Sequence, residues 1–259
     1  MDIDIPRMTL KTGAEMPKLG LGTWQLTGDT CVQAVDMALQ MGYNHLDTAD
    51  VYGNHREVAA GMANHDRESI WITSKVNRGS LHYDDVLAVC EKNLKELETD
   101  YIDLYLIHWP DPEAPMEETF RALKKLRDEG MVNDIGVSNF MVEHLTEALE
   151  VAEVPIVNNQ IKFHPAHQPW DVVEMCSENE IAVTAYSPLG HGGLLEDETL
   201  ARIAKAVDRS VAQVAIRWLL QQEMIVIPKA SSEEHLRANL DVFDFQISPE
   251  QDRAIRGMA

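Results

Sequence analysis

Four side chains in this sequence carry reactive groups at telling positions. They are Asp47 and Tyr52 in NHLDTADVYGN, Lys75 closing SIWITSK, and His108 in YIDLYLIHWP. Asp47, Lys75 and His108 fall at or beside the end of an apolar, β-type run, and Tyr52 lies on the loop after Asp47. In a barrel of parallel strands, chemistry collects at those C-terminal strand ends. An unperturbed phenol titrates near 10. A lysine ammonium about 4 Å away is worth roughly 4 kcal/mol at an effective dielectric of 20 and favours phenolate, whereas burial opposes it. Asp47 would keep Lys75 charged, and a neutral His108 would orient a carbonyl oxygen. Such a set suits acid-assisted reduction of a carbonyl, in which the oxygen gains charge as hydride arrives and needs a proton. Taken singly, Tyr52 reads as a loop aromatic and His108 as a packing residue. Their convergence argues for chemistry.

The elements that position them follow from periodicity. Apolar runs at Lys18–Gly22, Tyr43–Asp47, Ile70–Lys75, Ile102–His108, Asp134–Val137, Ile156–Gln160, Ala182–Tyr186 and Ile225–Pro228 read as strands. Helical patterns separate them: a segment capped by Thr30 and running to about Met41, then Asp84–Leu97, Glu117–Glu129, Met141–Glu150, Trp170–Ser177, Thr199–Val207 and Ser210–Gln222, with His235–Leu240 beginning the last. This alternation predicts a (β/α)8 TIM barrel, one domain over residues 1–259. The competing doubly wound sheet needs G-x-G-x-x-G, and Gly20-Leu-Gly22 is followed by Thr23 and Trp24 instead. Met8–Leu10 and Glu15–Met16 around Lys11-Thr-Gly13 predict an N-terminal β-hairpin that could plug the barrel.

Composition narrows the partners. With 43 acids against 22 bases the net charge is −21, which repels nucleic acid and anionic membranes. It also suits a salt-rich cytoplasm, where a Debye length of about 3 Å at 1 M screens self-repulsion. The chain lacks a run of about 18 apolar residues, and MDIDIPRMTLKTG has no apolar signal core. A cytoplasmic protein is expected, with no membrane or nucleic-acid partner, as a monomer or weak dimer. Cys31, Cys90 and Cys176 are scattered and read as buried thiols. No metal is expected, since His108, His164 and His167 lack a metal-type spacing.

Several motifs together resemble the aldo-keto reductase family: Gly20-Leu-Gly-Thr-Trp24, Asp47-Thr-Ala-Asp-Val-Tyr-Gly-Asn54, Gly136-Val-Ser-Asn-Phe140 and Ile227-Pro-Lys229. Order and spacing match over essentially the whole chain, which is similar to short prokaryotic members such as the 2,5-diketo-D-gluconate reductases. The resemblance implies a nicotinamide dinucleotide held without a Rossmann fold. Tyr52 would be the general acid, Lys75 and Asp47 its tuning partners, and His108 a substrate-orienting group. Ser138, Asn139 and Gln160 would bind the carboxamide and Tyr186 would stack on the ring. The pyrophosphate would lie along Ser187-Pro-Leu189 and Gly190-His-Gly-Gly193, whose glycines let backbone amides approach an anion.

The cofactor's far end departs from the family. NADPH-preferring members clasp the 2′-phosphate with a Lys-Ser pair and a downstream Arg. Here Lys229 is followed by Ala230, and His235 stands where Arg is usual. Ser231, Ser232 and Arg237 could compensate, and Asn239 matches the adenine-facing Asn. NADPH is expected, with NADH tolerated. His55 and Lys162 also stand where Glu is common, with no account from sequence. Trp24, Val51, Trp109 and Trp170 would line the substrate mouth for a small carbonyl compound. The sequence stops at Ala259 without the closing loop of longer relatives, and an open, permissive site is expected. The alternative is a nicotinamide-binding redox sensor or regulatory subunit with little turnover.

Overall fold

Each of the eight apolar runs supplies a strand to one closed parallel sheet. The computed structural model describes residues 4–259; residues 1–3 of the acidic N-terminus lie outside the described residues. The strands β3 (Leu21–Gly22), β4 (His45–Asp47), β5 (Trp71–Val76), β6 (Ile102–Ile107), β7 (Val132–Ser138), β8 (Ile156–Lys162), β9 (Ala182–Tyr186) and β10 (Ile225–Val226) neighbour one another in chain order. The ends then meet. Gly20 N donates to Val226 O (2.9 Å), Val226 N to Lys18 O (2.8 Å) and Gly22 N to Pro228 O (3.1 Å). This is a (β/α)8 barrel.

Strand alternation divides its core. On β6, Leu104 and Leu106 pack with Val157 and Ile225, while Tyr105 and Ile107 join the larger layer beneath the helices. The interior leaves little room: a Cβ on Gly136 would come within 2.6 Å of both Leu106 Cδ2 and Asn158 O. Ahead of the barrel, β1 (Arg7–Thr9) and β2 (Glu15–Pro17) form the expected hairpin, with Met8 opposite Met16. Its Leu10 and Met16 pack into the same interior cluster and plug the barrel.

The helices are α1 (Gly28–Gln40), α2 (His55–Met62), α3 (Tyr83–Leu97), α4 (Met116–Asp128), α5 (Val142–Val151), α6 (Trp170–Glu178), α7 (Glu198–Val207), α8 (Val211–Gln221), α9 (Glu233–Leu240) and α10 (Pro249–Arg256). Thr30 does not cap α1. The helix already starts at Gly28, and the capping position, Thr27, makes no side-chain cap bond. Neither α2 nor α10 was anticipated. The stretch α2 is short and opens on three polar residues, His55, Arg56 and Glu57, which hides its period. Its small residues matter by contact: a Cβ on Gly61 would meet Val35 of α1 at 2.6 Å. The signal for α10 was present, because Ser248 and Gln251 form a capping box with Pro249 in the first turn. Helix α9 starts at Glu233, two residues earlier than expected, and is not the last. Among the described residues no helix is long and apolar enough to cross a membrane.

Candidate functional site

The strand ends converge as the spacing required. Asp47 ends β4, Lys75 lies near the end of β5, and His108 follows β6 directly. Lys75 Nζ donates to Asp47 Oδ1 (2.7 Å) and to Thr48 O (2.8 Å). The other carboxylate oxygen, Asp47 Oδ2, accepts from Gln160 Nε2 (2.7 Å) on β8. Both members of the ion pair are essentially inaccessible, with Lys75 at 0 % and Asp47 at 2 % exposure. Burial pushes the Asp47 carboxyl up and the Lys75 ammonium down, and the attraction between them opposes both shifts.

Tyr52 closes a 3-10 turn, Asp50–Tyr52, and its ring lies over Lys75 with Nζ 5.3 Å from the centroid. The His108 ring meets it edge-on at 5.8 Å. The expectation that Lys75 would ease deprotonation of the phenol is corrected for the protein alone. Burial raises the Tyr52 pKa well above its usual value, and the Asp47 charge adds to this. At neutral pH the hydroxyl therefore keeps its proton. His108 moves the other way: burial, then the nearby Lys75 charge, lowers it to about 3, so the imidazole is neutral.

These groups open on a cleft of about 600 Å3. Tyr52, His108, Trp24 and Trp109 line it, as do Ser138, Asn139, Gln160 and Tyr186. So do Ser187, Leu189 and Lys229. Thus most of the residues singled out in sequence share one cavity. Ser231 and His235 are exposed outside its lining, and Asn239 is buried against the Tyr43 hydroxyl. Trp170 is a correction. It packs edge-on to Phe163 and Trp218 beneath the guanidinium of Arg256, because α6 turns it into the outer layer and away from the mouth.

The polar wall of the cleft is internally braced. Asn139 Nδ2 donates to His108 O and Ser138 Oγ (3.0 Å each), and Asn139 Oδ1 accepts from Tyr186 Oη (2.8 Å). Ser138 Oγ in turn donates to Gln160 O (2.8 Å). Backbone strain marks the same place. Asn139, Ser187, His191 and Gln25 are non-glycine residues at φ between 50 and 64°, and all four line the cleft. Gln25 was missed in sequence. Its Oε1 accepts from Lys229 Nζ (3.2 Å), a contact between segments 204 residues apart that no local pattern announces.

The residues present fit a dinucleotide. Amide and hydroxyl groups, the glycine loop at Gly192 (φ 89°) and Lys229 all line one cavity. The side chains expected to clasp a 2′-phosphate are partly engaged already. Ser232 Oγ is taken up by capping α9, accepting from His235 N (3.3 Å), and Arg237 pairs with Glu233 (2.7 Å). Among the described residues no cluster of three or more His, Cys, Asp or Glu is placed to hold a metal.

Comparison with known proteins extends the match beyond the cleft. A glyoxal reductase of Bacillus subtilis is 42% identical over 244 residues, covering 93% of this chain and 88% of its own. The solved aldo/keto reductase of Brucella melitensis superposes with a TM-score of 0.94 at 39% identity, covering 99% of this chain and all of that one (100%). A solved protein assigned as a 2,5-diketo-D-gluconic acid reductase B gives 0.96 at 33% identity over 100% of this chain and 92% of its own. The profile described as Aldo/keto reductase family spans residues 18–259, which takes in every strand of the barrel and every side chain of the cleft, and the chain belongs to that family.

Proposed function

We propose that this protein reduces aldehydes, and ketones more slowly, to alcohols at the expense of NADPH, with Tyr52 as proton donor. The observation that supports it most is the buried Asp47–Lys75 pair set beneath the Tyr52 ring, 5.3 Å from Nζ to centroid. A bound reduced nicotinamide would supply the hydride. The chain's own residues govern the proton. Tyr52 Oη, protonated at rest, gives its hydrogen to the carbonyl oxygen as charge develops there. The phenolate left behind faces the Lys75 ammonium, which Asp47 and Thr48 O hold in place. Neutral His108 donates to the same oxygen and adds no charge. Ser138, Asn139 and Gln160 would hold the carboxamide, with one Asn139 bond to His108 O or Ser138 Oγ exchanged for a bond to the ligand. Trp24 and Trp109, both more than two-fifths exposed, would offer apolar walls to a small carbonyl compound. The described C-terminal segment lines no part of the cleft; α10 packs instead on the α6–α8 side through Gln168 Nε2 to Ile255 O and Trp218 Nε1 to Asp252 Oδ1.

The direct test is spectrophotometric. Purified protein should consume NADPH when methylglyoxal or a nitrobenzaldehyde is added, and not without it. Tight NADPH binding by fluorescence with no carbonyl-dependent turnover would favour a sensor over an enzyme.

Cofactor choice should rest on Lys229. It is the ammonium among the residues that line the cleft, and its partner is the neutral Gln25 rather than a carboxylate. Lys229→Ala should weaken NADPH roughly fivefold, the worth of an exposed charge contact of about 1 kcal/mol, and leave NADH nearly unchanged. Equal losses for the two dinucleotides in a binding titration would contradict this assignment.

A further inference from the structure

No strand carries Tyr52. It ends a lone 3-10 turn whose own bonds are Tyr52 N to Ala49 O (3.0 Å) and Gly53 N to Asp50 O (3.2 Å). Such turns are weakly bonded, and Val51 within it is 55% exposed. The phenol must be held from outside the turn. Downstream, the buried Asn54 accepts from Thr48 Oγ1 and donates to Thr23 O and Leu26 O, each at 2.9 Å. Upstream, the anchor is Asp50.

Asp50 reaches α3. Its Oδ1 accepts from Lys92 Nζ (2.8 Å). The Asn93 amide is assigned from its neighbours: with its nitrogen turned toward Asp50 it donates to Asp50 Oδ1 (3.0 Å) and Val89 O (3.2 Å) and accepts from Tyr105 Oη (3.0 Å), whereas the opposite orientation sets its oxygen against acceptors alone. Asn93 and Tyr105 are both fully buried. Tyr105 belongs to β6, three residues before His108. The chain Tyr105–Asn93–Asp50 thus ties the strand that bears His108 to the turn that bears Tyr52, behind the sheet. On the cleft side the same two residues meet ring to ring. A buried polar chain with its donors and acceptors matched is stiff. By contrast, the Lys92 ammonium is 54% exposed and contributes little alone.

Resting on the assignment of Tyr52 as the acid, we propose that Asp50 is a positioning residue: through Asn93 and Tyr105 it sets the spacing between the Tyr52 phenol and the His108 imidazole. In Asp50→Ala the turn loses its partly buried anchor and the phenol drifts. The kcat should fall about tenfold, the scale of a sub-ångström misplacement, while KM for the carbonyl and Kd for NADPH hold. Asp50→Asn, whose amide oxygen still accepts from Asn93, should recover most of the rate, and Lys92→Met should lose little. In a Tyr52→Phe background, Asp50→Ala should cost nothing further. Independently of turnover, the His108 ring protons sense the Tyr52 ring current, and their NMR shifts should move in Asp50→Ala. If that variant does not fold, Tyr105→Phe, which removes one hydroxyl from the same chain, is read by the same measures. An unchanged kcat, an equal loss in the Tyr52→Phe background, or unmoved His108 shifts would each overturn the role of Asp50. A fully active Tyr52→Phe enzyme would remove the acid assignment instead, and the NMR shifts would then decide whether Asp50 spaces the two rings.

Discussion

Tyr52→Phe should lower aldehyde turnover by roughly a hundredfold to ten-thousandfold, the usual worth of a positioned general acid, with NADPH affinity unchanged. The phenyl ring keeps the contact with Lys75 and His108, so the loss isolates the hydroxyl. His108 is the neutral donor whose ring touches that of Tyr52. It cannot substitute efficiently, because surrendering a proton would leave an imidazolate in a site that already disfavours charge. The pH profile sharpens the test. His108 titrates near 3 and burial holds the Tyr52 proton far into the alkaline range, so neither group should limit kcat/KM between pH 5 and 8 by its own titration. A parental rate in the variant, or an acidic limb near pH 6.5 that vanishes with His108→Gln, would undo this picture.

Acid should unfold the protein early. Four histidines are held neutral: burial lowers His45 and His108 to about 3, and His55 and His164 to about 4. Each has a folded pKa below its unfolded value near 6.5. Between those limits the unfolded chain binds protons that the folded one refuses, so stability is intact above about pH 6.5 and is lost as pH falls toward the folded values. Each histidine adds a slope of up to about 1.4 kcal/mol per pH unit, or about 5 kcal/mol per unit together, against a total of about 5–15 kcal/mol for a typical protein. The unfolding midpoint should then lie at about pH 5. Two contributions have the opposite sign: the carboxyls of Asp47, Asp103 and Asp134, raised by burial, take up protons in the folded state first, and the surface acids repel one another. Protonating some of the 43 acids relieves repulsion in a chain of charge −21. Work at 1 M KCl, where screening acts over about 3 Å, suppresses it. Thermal melts from pH 7.5 to 4.5 at that salt should show Tm falling steeply below pH 6.5; a flat Tm down to pH 5 would refute the linkage. His55→Gln should flatten the curve, because the amide can replace the imidazole bond to Ser74 Oγ (3.0 Å) without a charge to expel.

That His55 contact also shows where the sequence stopped short. The residue stood out only as an oddity in a position where Glu is common. In the fold it lies 2% exposed at the head of α2, bonded to the neighbour of Lys75 and 3.9 Å from Glu96. A short helix with three polar residues at its start carries no readable period, so neither α2 nor the burial of His55 could be foreseen. Asp50 stood in the motif with no role of its own, since its partners come from α3 and β6. Trp170 was misplaced for a related reason. An aromatic after a strand looks the same whether the chain then turns toward the mouth or outward against Phe163 and Trp218.

Alternation and motif spacing determined the barrel, the hairpin plug and the placing of Asp47, Tyr52, Lys75 and His108 at one end of the strands, because strand period and the position of a residue at a strand end are local properties of the chain. Only the closed sheet decided distance and dielectric. It buries Lys75 completely, sets Asp47 against both Lys75 and Gln160, turns Asn139 into a brace for Tyr186, and raises rather than lowers the proton affinity of Tyr52. Such quantities depend on which atoms from remote segments exclude water around a charge. A one-dimensional pattern names the groups that must meet, and the packing around them sets how strongly each holds its proton.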